Sequence, residues 1–170
     1  MKEYWDLYDE DLKLTDKKII RDEEEIPDGY YHLSVELWII NSKKELLLIK
    51  SAYNYIKFFP GKWKCVTGNL SSGEDVYQCI KRNGKFRIGI DIDTDKVEIL
   101  GLHKKPKRKF AYYTAILQQD IDLEEMTLNK DYFLDMKYVN KDELLRMCDN
   151  GEIAYYLIER LGNEVLDYIS

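Results

Sequence analysis

Residues 68–90 read GNLSSGEDVYQCIKRNGKFRIGI, and this stretch decides the fold. The apolar side chains of residues 74–88 follow helical spacing, which predicts a helix there. The segment before it contains Pro60, Gly61 and Gly68, so we predict irregular backbone leading into the helix. Within the stretch, Gly68, Glu74, Arg82 and Gly89 follow one another at intervals of six, eight and seven residues.

Strands are predicted on both sides of this helix. HLSVELWII and ELLLIK are apolar runs joined by a short polar link, which is typical of a hairpin or meander. The remaining predictions are an N-terminal hairpin at 3–19, strands at 96–103, 109–119 and 135–139, and amphipathic helices at 141–150 and 152–169. This order favours the α/β class, with a mixed sheet covered by helices on both faces.

The composition indicates one soluble globular domain spanning residues 1–170. Aromatic residues make up 13% of the chain, which argues against disorder. The net charge of −6 favours no specific nucleic-acid partner, and no apolar run is long enough to span a membrane. Three widely spaced cysteines fit reduced thiols, so we expect a cytoplasmic protein, either a monomer or a homodimer.

The 68–90 stretch resembles the signature sequence, or box, of the Nudix (MutT-like) hydrolase family. Gly68, Glu74, Arg82, Gly89 and Ile90 match it, and PGKW at 60–63 resembles the segment that usually precedes it. The resemblance implies a Nudix-type α/β/α sandwich with a mixed β-sheet. It also implies structural roles for the first four of these residues, with Arg82 pairing with Glu74 to hold the loop against the helix.

Three acidic positions of the family box fall on Asn83, Phe86 and Arg87, and an apolar one falls on Gly84. Members of the family cleave diphosphate linkages with Mg²⁺ or Mn²⁺, and magnesium prefers carboxylates and water. The substitutions change the local charge from −3 to +1. A positive charge about 4 Å from a divalent ion is repelled by roughly 8 kcal/mol at an effective dielectric of about 20. The usual metal site is therefore not expected, and no cofactor is predicted.

Two functions remain open at this point. In the first, the protein is a catalytically impaired binder of a phosphorylated small molecule or nucleotide, held by Arg87 beside Asn83. In the second, it is an active hydrolase of nucleoside diphosphate derivatives, with Mg²⁺ or Mn²⁺ held by Glu74, Asp75 and Glu36. No residue is assigned a catalytic role. Arg87 could instead pair with Asp75 or Asp91, which are both close to it in sequence.

Other residues of the box helix have predicted structural effects. Gly84 is expected to shorten or distort the helix, because glycine costs about 1 kcal/mol relative to alanine there. Phe86 is expected to pack beside Cys79.

Side chains alternate along HLSVELWII, so His32, Ser34, Glu36 and Trp38 share one face. Polar groups on a central strand must find partners or line a cavity. His32 and Glu36 are therefore candidates for ligand contact, the alternative being local pairing on the sheet face. The basic run HKKPKRK at 103–109 would either attract a phosphate-bearing ligand or RNA, or form a solvated hairpin tip.

Overall fold

The computed structural model describes residues 1–54 and 59–170, and the chain begins with the predicted hairpin. Strands β1 (Tyr4–Tyr8) and β2 (Leu14–Ile20) pair antiparallel as a separate two-stranded sheet. The hairpin joins the rest of the molecule through reciprocal backbone hydrogen bonds between Tyr8 and Tyr31, at 2.8 and 2.9 Å. These bonds place the ends of the hairpin beside the strand that follows.

The main sheet has seven strands in the described part of the chain. Strand β3 (His32–Ile40) is central, because it pairs parallel with β8 along its whole length and antiparallel with β4 and β6. Strand β4 pairs in turn with β5 and β9, and β7 pairs with β8. The other strands are β4 (Leu46–Ser51), β5 (Trp63–Lys64), β6 (Val66–Asn69), β7 (Val97–Lys105), β8 (Phe110–Gln118) and β9 (Phe133–Val139). Residues 63–69, predicted to be irregular, thus form two short strands.

The sheet separates two apolar cores, which confirms the predicted α/β/α arrangement with a mixed sheet. On one face, Leu33, Val35 and Leu37 of β3 pack with the helix α1 (Val76–Ile88). On the other face, Trp38 and Ile40 pack with the C-terminal helices. The alternation predicted for β3 is therefore confirmed, since neighbouring residues enter opposite cores.

Helix α1 runs without interruption over the predicted segment. Its first turn is closed by a capping box in which Asp75 accepts from the Gln78 amide at 2.8 Å. It ends at Gly89, whose φ of +68° suits glycine in a left-handed cap. The prediction that Gly84 shortens or distorts the helix is wrong. The glycine instead makes room for Ile92, because a Cβ added at Gly84 would lie 2.4 Å from Ile92 Cδ1.

Replacing Gly84 with alanine is expected to lower the free energy of unfolding by about 1 kcal/mol. Helix propensity favours alanine by about 1 kcal/mol, but displacing the buried Ile92 side chain from a packed core costs about 1–3 kcal/mol. Urea unfolding of the two proteins measures the difference. Gly162→Ala is the matched control, because a Cβ there meets no atom within 4 Å. Stabilisation by Gly84→Ala would show that Ile92 moves at no cost.

The single C-terminal helix predicted over 152–169 is wrong. After α2 (Lys141–Asp149), which begins at the cap Asn140, the chain forms two short helices, α3 (Tyr155–Arg160) and α4 (Asn163–Tyr168). The break lies at Leu161 and Gly162, where Gly162 adopts extended backbone with φ −73° and ψ 170°. Because α3 ends there, Arg160 lies at its last position, facing the sheet.

Candidate functional site

A cavity of about 1150 Å³ opens over the polar face of β3. Its walls come from the ends of the N-terminal hairpin, from β3, β5, β6 and α1, and from the segment joining β7 to β8 together with α3. Six basic and four acidic side chains line it among the described residues, although the whole chain has a net charge of −6. The cavity therefore concentrates positive charge in an acidic protein.

The row of polar residues on β3 forms one wall. His32, Ser34 and Glu36 all line the cavity, so the sequence correctly placed them on one face. The His32 ring stacks on Trp5 with the ring centroids 4.0 Å apart, and it lies 5.7 Å from Phe110. Burial lowers the pKa of His32 to about 4, so the imidazole is neutral near pH 7.

Glu36 and Arg160 form a buried ion pair beneath this wall. The Arg160 guanidinium donates to Glu36 Oε1, and Glu36 Oε2 has no hydrogen-bond partner among the residues that the structure describes. Arg160 also lies over the rings of Tyr112 at 4.4 Å, Tyr156 at 4.9 Å and Phe110 at 5.0 Å. Burial raises the pKa of Glu36, while Arg160 opposes the rise. The pair leaves one buried carboxylate oxygen of Glu36 without a hydrogen bond in the described part of the chain.

Arg87 of α1 lines the opposite wall, and Asn83 lies behind it. Arg87 Nε donates to Asn83 Oδ1 at 3.2 Å, and the guanidinium lies 5.2 Å from the centre of the Phe133 ring. Asn83 Nδ2 donates to the Cys79 carbonyl at 2.9 Å. Asn83 does not line the cavity. It holds the Arg87 side chain in position and was predicted instead as a ligand contact.

Gly68 is required by the packing of Asn83. A Cβ at Gly68 would lie 2.1 Å from Asn83 Nδ2, so only glycine leaves room for the amide.

The aspartates considered as partners of Arg87 have other contacts. Asp75 caps α1, and Asp91 lies 3.6 Å from Lys85.

The predicted pairing of Glu74 with Arg82 is confirmed. Arg82 donates to both Glu74 carboxylate oxygens at 2.7 Å and to the Asn69 carbonyl at 2.8 Å. Glu74 also accepts from the Ser71 amide at 2.7 Å. Burial raises the pKa of Glu74, but the bonds from Arg82 and Ser71 outweigh it and hold that pKa below its usual value. The pair ties the loop to α1, as the resemblance implied.

The prediction for Phe86 is wrong. Its side chain is 43% exposed, and its ring lies against Tyr132 with the centroids 5.1 Å apart. Cys79 is buried in the core cluster below α1, to which Phe86 does not belong. Phe86 therefore lies on the outer side of the helix.

The residues at this site do not fit a divalent cation. The box positions carry an amide, an aromatic ring and a guanidinium, and the three alternative carboxylates do not converge. Glu74 is bonded to Arg82, Asp75 caps α1 and Glu36 pairs with Arg160. Among residues 1–54 and 59–170, no group of three His, Cys, Asp or Glu side chains could hold a metal ion.

Two further basic side chains, Lys64 and Arg108, add to the positive charge that lines the cavity. Lys64 of β5, which the sequence analysis did not single out, lines the cavity with only 9% of its surface exposed. Arg108, from the predicted tip of the β7–β8 hairpin, also lines it and donates to the Tyr155 hydroxyl at 3.0 Å. The rest of that basic run is not simply solvated. Lys104 pairs with Glu10 at 3.2 Å, and Lys109 with Asp28 at 2.7 Å.

Comparison with known proteins agrees with this architecture. Residues 30–161 match the NUDIX domain family. The chain is 30% identical over 170 residues to an uncharacterised Nudix hydrolase of Listeria monocytogenes, with 95% of this chain and 94% of the relative covered.

Solved structures give the same picture. A protein of Deinococcus radiodurans matches with a TM-score of 0.73 at 19% identity, covering 89% of this chain and 92% of its own. The NUDIX domain of NrtR from Shewanella oneidensis, crystallised with ADP ribose, matches with a TM-score of 0.58 at 13% identity, covering 81% and 85%. In the described part of the chain, no helix combines the length and the apolar character needed to cross a bilayer.

Proposed function

The chain belongs to the Nudix family, and on that premise we propose that it binds a phosphorylated small molecule without a divalent metal ion. The observation that carries this proposal is the guanidinium of Arg87, which faces the cavity from a position where the family box is acidic. A planar guanidinium recognises phosphate with two parallel hydrogen bonds. Arg87 supplies locally the positive charge that a metal ion supplies to phosphate in other members of the family.

The surroundings of Arg87 support an anionic ligand. Lys64 and Arg108 also line the cavity, and neither has an ion pair with a carboxylate among the described residues. The basic side chains that line the cavity outnumber the acidic ones by two, and a cleft of net positive charge raises the local concentration of anionic ligands. Phosphate is the common biological anion that such a site would take.

The size and the aromatic lining of the cavity favour a nucleotide-sized ligand. A volume of about 1150 Å³ slightly exceeds the range of about 300–1,000 Å³ that is typical of small-molecule sites. Phe110, Tyr155 and Tyr156 offer rings against which a base can pack, and Glu36 Oε2 offers an acceptor for a hydroxyl or amino group. ADP ribose, the ligand of the NrtR domain, belongs to this class and is a reasonable first ligand to test.

Hydrolysis of nucleoside diphosphate derivatives is the second candidate. The name of the Listeria relative, a Nudix hydrolase similar to this chain over nearly its whole length, favours it. It requires a metal ion held by Glu74, Asp75 and Glu36, and each of these carboxylates would have to leave its present partner.

Calorimetric titration with ADP ribose and a panel of nucleoside mono- and diphosphates tests the proposal, in Mg²⁺ and in chelator. We expect binding that chelator leaves unchanged. Arg87→Gln should weaken it about 10–100-fold, the range for a hydrogen bond to a charged group. Lys85→Gln removes one charge from the same helix turn outside the cavity and should bind like the wild-type protein.

Product analysis on the same panel separates the two functions. Turnover that requires Mg²⁺ or Mn²⁺ and stops in chelator would establish the hydrolase and contradict the proposal. Equal affinity of the wild-type protein and Arg87→Gln for every bound ligand would contradict the assigned role of Arg87.

A further inference from the structure

Lys64 is a buried lysine that forms no ion pair in the described part of the chain. It lies on the short strand β5, opposite Ile49 of β4, and its amine lies 5.6 Å from the centre of the Phe133 ring. It makes no ion pair with any residue in the described ranges 1–54 and 59–170. A lysine is almost never buried unless it is paired, so the missing partner must be explained.

The charged surroundings of Lys64 add to the free-energy cost of burying its ammonium group. The titratable groups that face it are the Arg87 guanidinium from α1 and the thiol of Cys65, the residue that follows β5, while β4 and β9 present Ile49 and Phe133. Burial and then the charge of Arg87 lower the pKa of Lys64 to about 7. Burial also raises the pKa of Cys65, which keeps the thiol neutral. In the described ranges, Lys64 pairs with no carboxylate that would offset the repulsion from Arg87, which lines the same cavity.

We infer that Lys64 and Arg87 together form a subsite for the terminal phosphate group of a ligand, a phosphomonoester dianion. The inference rests on the proposed function and narrows its ligand class. A terminal phosphate places two negative charges on one group and matches two adjacent cations, whereas the phosphate of a diester carries only one charge. The Lys64 amine donates to one phosphate oxygen, and the Arg87 guanidinium donates to others.

Binding at this subsite is coupled to protonation of Lys64. A dianion beside the amine favours its charged form, so the ligand raises the pKa of Lys64 and takes up a proton when binding occurs above about pH 7. Affinity therefore falls as pH rises through about 7, because the free lysine loses its charge. It also falls below about pH 6, where the phosphomonoester loses its second charge. The expected optimum lies between these two values.

Methyl phosphate and dimethyl phosphate are the matched probes, because they differ by one negative charge and one methyl group. NMR titration measures both affinities, and the ¹³Cε shift of Lys64, assigned with Lys64→Met, reports its pKa. We expect the wild-type protein to bind methyl phosphate at least about tenfold more tightly, with the pKa of Lys64 rising by about one unit or more at saturation. Lys64→Met should lose that preference and the decline in affinity above pH 7.

The variant also provides a check on folding. Since the buried amine pairs with no carboxylate among the described residues, Lys64→Met should unfold at the same or a higher temperature than the wild-type protein, so lost binding would not reflect lost structure. Unchanged methyl phosphate affinity and preference in Lys64→Met would overturn the subsite alone. The subsite alone would also be overturned if the wild-type protein bound nucleotides but not methyl phosphate. Failure of the wild-type protein to bind any phosphorylated probe would overturn the proposed function as well.

Discussion

Replacing Arg160 with alanine is expected to lower the free energy of unfolding by about 3–5 kcal/mol, the usual cost of leaving one partner of a buried ion pair alone. Glu36 is 2% exposed, and Arg160 is the partner of its Oε1 atom. Without the guanidinium, burial would raise the pKa of Glu36 further, so the carboxyl would become protonated nearer to neutral pH. The variant should therefore lose stability most steeply at high pH, where protonation cannot relieve the buried charge.

Urea unfolding at several pH values measures this loss. The double variant Glu36→Gln/Arg160→Ala removes both charges of the pair, so it should be more stable than Arg160→Ala alone. Arg146→Ala is the matched control, because Arg146 pairs with Glu143 at 2.7 Å on the exposed surface and should cost at most about 1 kcal/mol. If Arg160→Ala and Arg146→Ala lowered the free energy of unfolding equally, the buried Glu36–Arg160 pair would stabilise the fold no more than a surface ion pair does.

The local features of the site could be predicted from sequence because they follow from spacing within one element. Alternation along β3 placed His32 and Glu36 on the cavity face, and the box spacing placed Arg82 next to Glu74. The helical period likewise placed Arg87 beside Asn83, and the two side chains are hydrogen-bonded. In each case the relevant contact is set by a strand period of two or a helical turn.

The features that were missed depend on distant parts of the chain. Arg160 is 124 residues from Glu36 and lies at the last position of α3, just before a break that the continuous apolar pattern of 152–169 concealed. Lys64 belongs to a two-residue strand, too short for alternation to show which way its side chain points. The exposure of Phe86 depends on Tyr132, which no pattern within the helix reveals. Each error arose where tertiary contacts outweigh local periodicity.

The two walls of the cavity differ in the ligand groups that they can bind. On β3 the buried Oε2 atom of Glu36 lacks a hydrogen bond among the described residues, while Arg87 and Lys64 line the same cavity with basic side chains. A ligand with hydroxyl or amino groups at one end and a phosphate at the other satisfies both walls, and a nucleotide has this form. Inorganic phosphate alone would satisfy only the cationic wall, so it should bind more weakly.

Reversing the charge at Arg87 with Arg87→Glu is expected to weaken metal-free binding of the phosphorylated ligand by at least about 1,000-fold. The change removes a charge-assisted hydrogen bond, worth about 1.5–3 kcal/mol. It also adds a repulsion of about 4 kcal/mol, for like charges about 4 Å apart at an effective dielectric of about 20. Arg87→Gln removes only the first contribution, so its loss should be smaller, about 10–100-fold.

The same substitution should affect Lys64 in the opposite direction. In the wild-type protein the charge of Arg87 helps to lower the pKa of Lys64 to about 7, and a carboxylate in its place would raise that pKa by favouring the ammonium form. Calorimetric titration in chelator gives the affinity, and NMR titration gives the pKa. Lys85→Glu is the matched control, because the same reversal on the exposed side of α1 should change neither quantity appreciably. If Arg87→Glu retains metal-free affinity, the phosphate lies elsewhere in the cavity; if only the pKa of Lys64 stays near 7, burial alone sets it and the two cations do not act as one subsite.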